Sequence, residues 1–155
     1  DYNVHHTVAY NTLVTLVEVD KKTGNVDVLY MGAVCDGGQI INPDAAATQI
    51  ESAFVMGTAY GLTSDFKIKD GINLTDTLGK TKIPRINQIP KEIEVIFTPA
   101  HDPTGPFGAK GIAEMCILTP APAICNAIYD AVGVRITSLP INDHKAALKE
   151  AAQNL

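Results

Sequence analysis

The sequence predicts a single α+β domain over residues 1–155, with a mainly antiparallel sheet packed by two longer helices and a C-terminal helix. Three observations support this prediction. Early stretches alternate apolar and polar residues, as half-buried strands do. Two later stretches repeat apolar residues every three or four positions, as helices do. The 155 residues are 46% hydrophobic and 19% charged, which is enough apolar material for one folded core.

The first predicted elements form a hairpin. Residues 7–20 and 25–36 are rich in valine, threonine and tyrosine, and the connection KKTG between them ends in Gly24. A third strand is predicted over 92–99, where apolar and polar residues alternate again. The intervening residues 63–91 contain turn signals and prolines, so they are predicted to run along the surface.

The helices are predicted from their apolar period. The longer one covers 41–62, with Asn42 as its cap and Pro43 at its first helical position. Its glycines and alanines predict close packing against another element rather than a membrane dimer. A second helix is predicted over about 120–132, with a glycine directly after it. The tail, capped near Asn142, is predicted to be a charged and solvated amphipathic helix.

Charge and cysteine content exclude several classes of function. Twelve basic and seventeen acidic residues give a net charge of −5, and neither sign forms a run, so neither nucleic acid nor a membrane is expected as a partner. Three cysteines without C-x-x-C spacing predict reduced thiols and a cytoplasmic protein. No segment resembles a signal peptide or a membrane span. Because the chain lacks an initiator methionine, we expect a cut or processed chain.

Common catalytic and metal motifs are absent from the sequence. The histidines, including the pair His5-His6, have no ligand spacing, so no metal ligand is predicted. The serines lack a G-x-S-x-G elbow. Cys125 falls beside an apolar helical stripe, where a buried and inert thiol is expected.

The stretch GPFGAKGIAE, residues 105–114, is the strongest candidate site. It places glycines, a proline and small residues before one carboxylate, Glu114. Glycine lets a ligand approach the main chain, and amides from Gly108 to Gly111 could bind an anion or line a planar cofactor. The spacing matches neither the phosphate loop nor the dinucleotide fingerprint. By local composition alone, an ordinary surface loop with a solvated carboxylate is an equal alternative.

GPFGAKGIAE, followed by PAPAICNAIYDAVGVRITSLP, resembles the C-terminal end of the molybdenum-binding subunit of the xanthine dehydrogenase and aldehyde oxidoreductase family. IPRINQIP and IEVIFTP occur in the same order as in that family, and the resemblance spans about residues 10–141. It implies that residues 1–155 are the C-terminal part of a molybdopterin-binding subunit. The implied enzyme is a molybdenum-dependent oxidoreductase that hydroxylates an aldehyde or an N-heterocycle, purine or nicotinate-like, with water-derived oxygen.

The resemblance also implies roles for individual residues. The glutamate that closes the glycine-rich motif is the family's catalytic base, which activates a water-derived hydroxyl beside the molybdenum, and here it is Glu114. Gln49 matches the position whose amide helps to hold the pterin, and a glutamine on the helix surface without this role is an equal alternative. The family often has glycine and proline on either side of the glutamate, where this chain has Ala113 and Met115. The backbone expected to approach the cofactor is that of Gly108, Ala109, Lys110 and Gly111.

Further cofactors and partners are implied outside this chain. Electrons would leave through iron–sulfur clusters and, in most members, FAD on other domains or subunits. The remaining pterin contacts would come from the rest of the molybdenum-binding subunit, so the isolated chain is expected to be inactive. We expect an apolar docking surface for that partner, because the small-residue helix 41–62 needs a close neighbour. The alternatives are a noncatalytic interaction or scaffold domain that retains the fold, and a small-molecule-binding module.

Overall fold

A computed structural model describes residues 7–155 and confirms the predicted α+β class. The strands and helices follow one another in an order close to the predicted one. They are β1 (Tyr10–Val19), β2 (Val26–Asp36), α1 (Pro43–Leu62), the two-residue strands β3 (Ile68–Lys69) and β4 (Ile72–Asn73), α2 (Leu78–Thr81), β5 (Glu92–Phe97), α3 (Pro120–Val132) and α4 (Lys145–Gln153).

The main sheet has three strands in the order β1-β2-β5. β1 and β2 are antiparallel and form the predicted hairpin, with Gly24 in the left-handed region at the turn. β5 pairs in parallel with the other side of β2. Parallel strands need a long crossover connection, and the chain from α1 to α2 supplies it. Most of residues 63–91 are exposed, as predicted, and this stretch includes the small antiparallel hairpin of β3 and β4.

Both long helices have the predicted ends. The side chain of Asn42 accepts a hydrogen bond from the N–H of Ala45 at 3.0 Å, and Pro43 opens α1. This bond satisfies one of the N–H groups that the first turn of a helix leaves free. α3 ends at Gly133, which adopts a left-handed φ of 72°.

The glycines of α1 pack closely against α3. A Cβ atom on Gly57 would lie 2.5 Å from Cγ of Pro120, and a Cβ atom on Gly61 would lie 3.3 Å from Cβ of Ala121. The prediction of close packing is therefore confirmed. The close neighbour of α1 is α3 of the same chain rather than a partner outside it, so the composition of α1 gives no evidence for a docking surface.

The core lies between the inner face of the sheet and the helices. The side chains of Leu148 and Ala152 on α4 are buried, so the prediction of a solvated tail helix is wrong. The predicted cap is wrong as well, because Asn142 lies in a 3₁₀ turn and α4 begins at Lys145. Large and fully buried side chains are those of Met31, Ile50, Phe54, Ile124, Ile128, Ile141 and Leu148.

The outer face of the sheet is apolar and exposed. Tyr10 and Val14 on β1 are each 63% exposed. Large apolar side chains that lie together on a surface typically mark a site of interaction. The other large apolar residues on this face are Leu16, Val34 and Ile96. Across residues 7–155, none of the helices has the length and apolar character needed to cross a bilayer.

Candidate functional site

The glycine-rich segment 105–114 docks against the loop that follows β2. Two backbone hydrogen bonds join them. The N–H of Gln39 donates to the carbonyl of Gly108 at 2.7 Å, and the N–H of Lys110 donates to the carbonyl of Gly37 at 2.9 Å. The segment is therefore attached to the end of a core strand rather than extending freely into solvent.

An ion pair strengthens this attachment. Nζ of Lys110 lies 2.7 Å from Oδ2 of Asp36, and the two side chains are only 11% and 26% exposed. The hydrogen bond from Lys110, followed by that from the N–H of Gly38, lowers the pKa of Asp36 below its ordinary value. The ring of Tyr10 lies 5.5 Å from the same ammonium group. The charge of Lys110 is thus already paired within the chain.

We expect Asp36→Asn to remove an acid-sensitive contribution to stability. The pair stabilises the fold fully above the ordinary aspartate pKa of 3.8, and this contribution is lost as the pH falls through the lower folded-state value. The stability difference between wild type and variant should therefore be largest above pH 3.8 and should shrink below it. Acid unfolding followed by circular dichroism measures this, with Asp27→Asn at an exposed position of β2 as the control. A difference that does not change with pH would contradict the expectation.

Local geometry requires glycine at position 108. Gly108 is buried with a φ of 83°, and a Cβ atom there would lie 2.1 Å from Nδ1 of His101. The preceding turn is organised by Asp102, whose Oδ1 accepts hydrogen bonds from the N–H groups of Thr104 at 2.8 Å and Gly105 at 2.9 Å. Hydrogen bonds from Thr104 lower the pKa of Asp102. The tight turn therefore sets the path of the chain toward Glu114.

The predicted cofactor-contacting backbone divides into two parts. The N–H groups of Gly108, Ala109 and Lys110 donate to carbonyl groups of this chain. From Gly111 to Glu114, by contrast, the N–H groups find no acceptor within residues 7–155. A Cβ atom on Gly111 would meet nothing within 4 Å, so this part of the segment borders open space. The groups that remain available to a ligand are therefore those immediately before Glu114.

Glu114 is exposed and lies between two anchored residues. Nε2 of Gln49, on α1, donates a hydrogen bond to the carbonyl of Ala113 at 2.9 Å. Nδ2 of Asn11, on β1, donates to the carbonyl of Met115. The structure thus brings the predicted residues Gln49 and Glu114 into one region, although they are far apart in sequence.

A pair of buried thiols lies behind this region. Sγ of Cys35 and Sγ of Cys116 are 3.5 Å apart, and both residues are fully buried. The hydrogen bond that Cys116 shares with Cys35, followed by burial, raises the pKa of Cys116. Cys125 is partly buried rather than fully buried as expected, and this burial raises its pKa, which disfavours the reactive thiolate.

No metal-binding cluster of three or more histidine, cysteine, aspartate or glutamate side chains occurs in the part of the chain that the structure describes. His5 and His6 lie outside the described residues. The other two histidines, His101 and His144, contact the main chain rather than a possible metal ligand. Nε2 of His144 lies 2.9 Å from the carbonyl of Ser138, and His101 packs against Gly108.

Neither the loop after β2 nor Asn11 was predicted to belong to the site. The signal for the loop is an Asp-Gly-Gly run, residues 36–38, directly after a predicted strand, which is a typical turn signal. The signal for Asn11 is weaker. It is an amide at an inward-facing position of β1, between neighbours that alternate in exposure.

Comparison with known proteins gives one family and several relatives. The family model for molybdopterin cofactor-binding domains matches residues 1–90. The aldehyde oxidoreductase molybdenum-binding subunit PaoC of Escherichia coli K12 is 37% identical over 128 residues, which are 81% of this chain and 17% of that protein. The probable hypoxanthine oxidase XdhD of the same organism is 34% identical over 119 residues, which are 76% of this chain and 12% of that protein.

The fold is similar to that of a solved relative. The crystal structure of the aldehyde oxidoreductase from Desulfovibrio desulfuricans matches with a TM-score of 0.81 and 34% sequence identity. The match covers 92% of this chain and 15% of that chain. The chain therefore spans less than one fifth of the length of each of these relatives.

Proposed function

Because this chain belongs to the family of molybdopterin cofactor-binding domains of the xanthine dehydrogenase and aldehyde oxidoreductase type, we propose that it is the C-terminal part of the molybdenum-binding subunit of such an enzyme. The family resemblance expected from the sequence is confirmed. The proposed activity is oxidative hydroxylation with water-derived oxygen, to which this chain contributes the catalytic base. One observation carries the proposal, namely an exposed carboxylate, Glu114, held between two anchored residues beside open backbone N–H groups.

The groups around Glu114 fit a pterin. A pterin is a polar heterocycle that needs both hydrogen-bond donors and acceptors. The N–H groups from Gly111 to Glu114 are unpaired within residues 7–155, and the space beside Gly111 is open. Gln49 uses one N–H on Ala113 and keeps its Oε1 as an acceptor. We assign the other predicted residues, Gly108, Ala109 and Lys110, to shaping the segment, because their N–H groups are occupied.

Glu114 would act as a general base. A base must reach the proton that it removes. The side chain of Glu114 is exposed, and the hydrogen bond from Gln49 to the carbonyl of Ala113 fixes the main chain directly before it. In the overall reaction the substrate C–H bond becomes a C–OH bond, water supplies the oxygen, and two protons and two electrons are released. The molybdenum cofactor, when bound, supplies the centre that accepts the two electrons. Glu114 receives one of the protons and passes it to solvent.

The substrate class is proposed as an aldehyde or an N-heterocycle, purine or nicotinate-like. The relatives named above include an aldehyde oxidoreductase and a probable hypoxanthine oxidase. The assembled enzyme should convert at least one of these classes, with an artificial electron acceptor present, to a product that carries ¹⁸O from labelled water. The matched control uses ordinary water under ¹⁸O₂ and should give unlabelled product. Label that comes from O₂ instead of water would refute the proposed reaction.

The proposed partners lie outside this chain. We propose that the rest of the molybdenum-binding subunit covers the apolar outer face of the sheet, because the chain is only 17% of the length of a related subunit and the face exposes large apolar side chains. Iron–sulfur clusters and FAD on other domains or subunits would take the electrons. The cytoplasmic location, proposed from the cysteine content, remains a prediction.

A further inference from the structure

Two side-chain amides hold the main chain on either side of Glu114. Nε2 of Gln49 bonds to the carbonyl of Ala113 at 2.9 Å, and Nδ2 of Asn11 bonds to the carbonyl of Met115. The carbonyl of Ala113 belongs to the same planar peptide group as the nitrogen of Glu114. A bond to that carbonyl therefore restricts the direction in which the chain enters Glu114, and the bond to Met115 restricts the direction in which it leaves.

We propose that Gln49 and Asn11 are positioning residues that aim the carboxylate of Glu114 at the reacting oxygen. This inference rests on the proposed function of Glu114 as the base. Glu114 lies outside every helix and strand. The backbone N–H groups from Gly111 to Glu114 have no hydrogen-bond acceptor on the main chain of residues 7–155. The carbonyl of Glu114 accepts one backbone hydrogen bond, from the N–H of Ile117 at 3.3 Å. Side-chain bonds supply further restraint where no strand or helix does, and small misplacements of a catalytic group cost much of its effect.

Both positioning residues are mounted on rigid elements. Gln49 precedes Ile50, a fully buried residue of α1. Asn11 is in β1 and pairs across the sheet with Cys35, whose Sγ contacts Cys116, the residue after Met115. Sites mounted on helices and strands are more precise than sites mounted on loops. The loop that bears Glu114 is therefore anchored to two core elements.

The environment of Asn11 favours a role other than stability. Its Oδ1 is buried and has no hydrogen-bond partner within the described chain. An unsatisfied buried oxygen destabilises a fold, and an apolar side chain of similar size would avoid that cost. The Oδ1 of Asn11 thus lowers the stability of the fold, while its Nδ2 donates a hydrogen bond to the residue after the proposed base. A residue that lowers stability in this way is typical of functional sites.

The test uses the assembled enzyme with the variants Asn11→Leu and Gln49→Met, which are similar in size but cannot donate these hydrogen bonds. Each variant should lower kcat per bound molybdenum roughly tenfold, the rate equivalent of about one hydrogen bond, with unchanged KM. Asn11→Leu should also leave the molybdenum content unchanged. Deuterium uptake of the peptide that spans 111–117 should rise. The melting temperature of Asn11→Leu should stay the same or increase, because the unpaired oxygen is removed.

An exposed neighbour of Gln49 provides a matched control. Thr48→Val on α1 should leave turnover, uptake and molybdenum content unchanged. Unchanged kcat in both Asn11→Leu and Gln49→Met would overturn the inference. So would a loss of molybdenum from Gln49→Met with full turnover per remaining metal, since Gln49 would then only retain the cofactor. A lower melting temperature for Asn11→Leu without a lower kcat would also overturn it and would indicate a purely structural role.

Different results would contradict the base role of Glu114 and the positioning role of Gln49 and Asn11. If the proposed function is wrong, Glu114→Gln retains turnover. If only the positioning role is wrong, Glu114→Gln is inactive while Asn11→Leu and Gln49→Met turn over normally. Deuterium uptake over 111–117 reports on the order of the loop, through the hydrogen-bonded N–H of Ile117, and does not depend on turnover.

Discussion

Replacement of Glu114 by glutamine is expected to lower kcat of the assembled enzyme by about 10²–10⁴-fold while the molybdenum content stays near that of wild type. Glutamine keeps the size of the side chain and some of its hydrogen-bonding ability, but it cannot accept the proton. The variant therefore separates proton removal from cofactor placement. Steady-state kinetics and metal analysis on the same preparation measure the two quantities.

The matched control is Glu92→Gln on β5, which is exposed and lies in the sheet rather than in the glycine-rich segment. Its rate should fall by far less than tenfold. Glu94→Gln is expected to have a similarly small effect on the rate, although Oε2 of Glu94 accepts a hydrogen bond from the hydroxyl of Tyr30 at 2.6 Å. If Glu114→Gln kept more than roughly a tenth of the wild-type rate with full molybdenum loading, the base assignment would be wrong. The glycine-rich segment would then have to act through cofactor packing alone.

The second large effect is expected for Gly57→Val on α1. The new Cβ atom would lie 2.5 Å from Cγ of Pro120 and 2.9 Å from the carbonyl oxygen of Ile117, so α1 and α3 would have to separate. Overpacking of this kind typically costs about 1–3 kcal/mol of the free energy of unfolding. The melting temperature should fall by several degrees. Ile117 also donates its N–H to the carbonyl of Glu114 at 3.3 Å, so we expect turnover to fall as well.

Gly79→Val in α2 is the control for this change. A Cβ atom on Gly79 would meet nothing within 4 Å, so the same substitution should alter stability by no more than about 0.5 kcal/mol. Urea unfolding of the two variants beside wild type makes the comparison. Equal stability for Gly57→Val and wild type would mean that α1 and α3 do not pack as closely as the structure places them.

Several features of this protein follow from the sequence alone because they depend on neighbouring residues. The hairpin of β1 and β2 follows from alternating apolar residues around a turn that ends in Gly24. The start of α1 follows from Asn42 and Pro43, and the end of α3 follows from Gly133. The glycine-rich segment and its glutamate could likewise be singled out, because unusual local composition is visible without a structure.

Other features were decided only by the tertiary structure. The tail helix α4 has a charged sequence, yet Leu148 enters the core because the sheet and the other helices leave a space that its apolar side chain fills. The parallel pairing of β5 depends on a crossover whose path no local pattern specifies.

The contacts that build the candidate site are also tertiary. Three hydrogen bonds link residues that are distant along the chain, Gln49 with Ala113, Lys110 with Asp36 and Asn11 with Met115, at separations of 64, 74 and 104 positions. A periodic pattern reports which face of an element is buried but not which distant residue meets it. The sequence by itself therefore identified the candidate base and its family, whereas the folded chain determined which side chains hold that base in place.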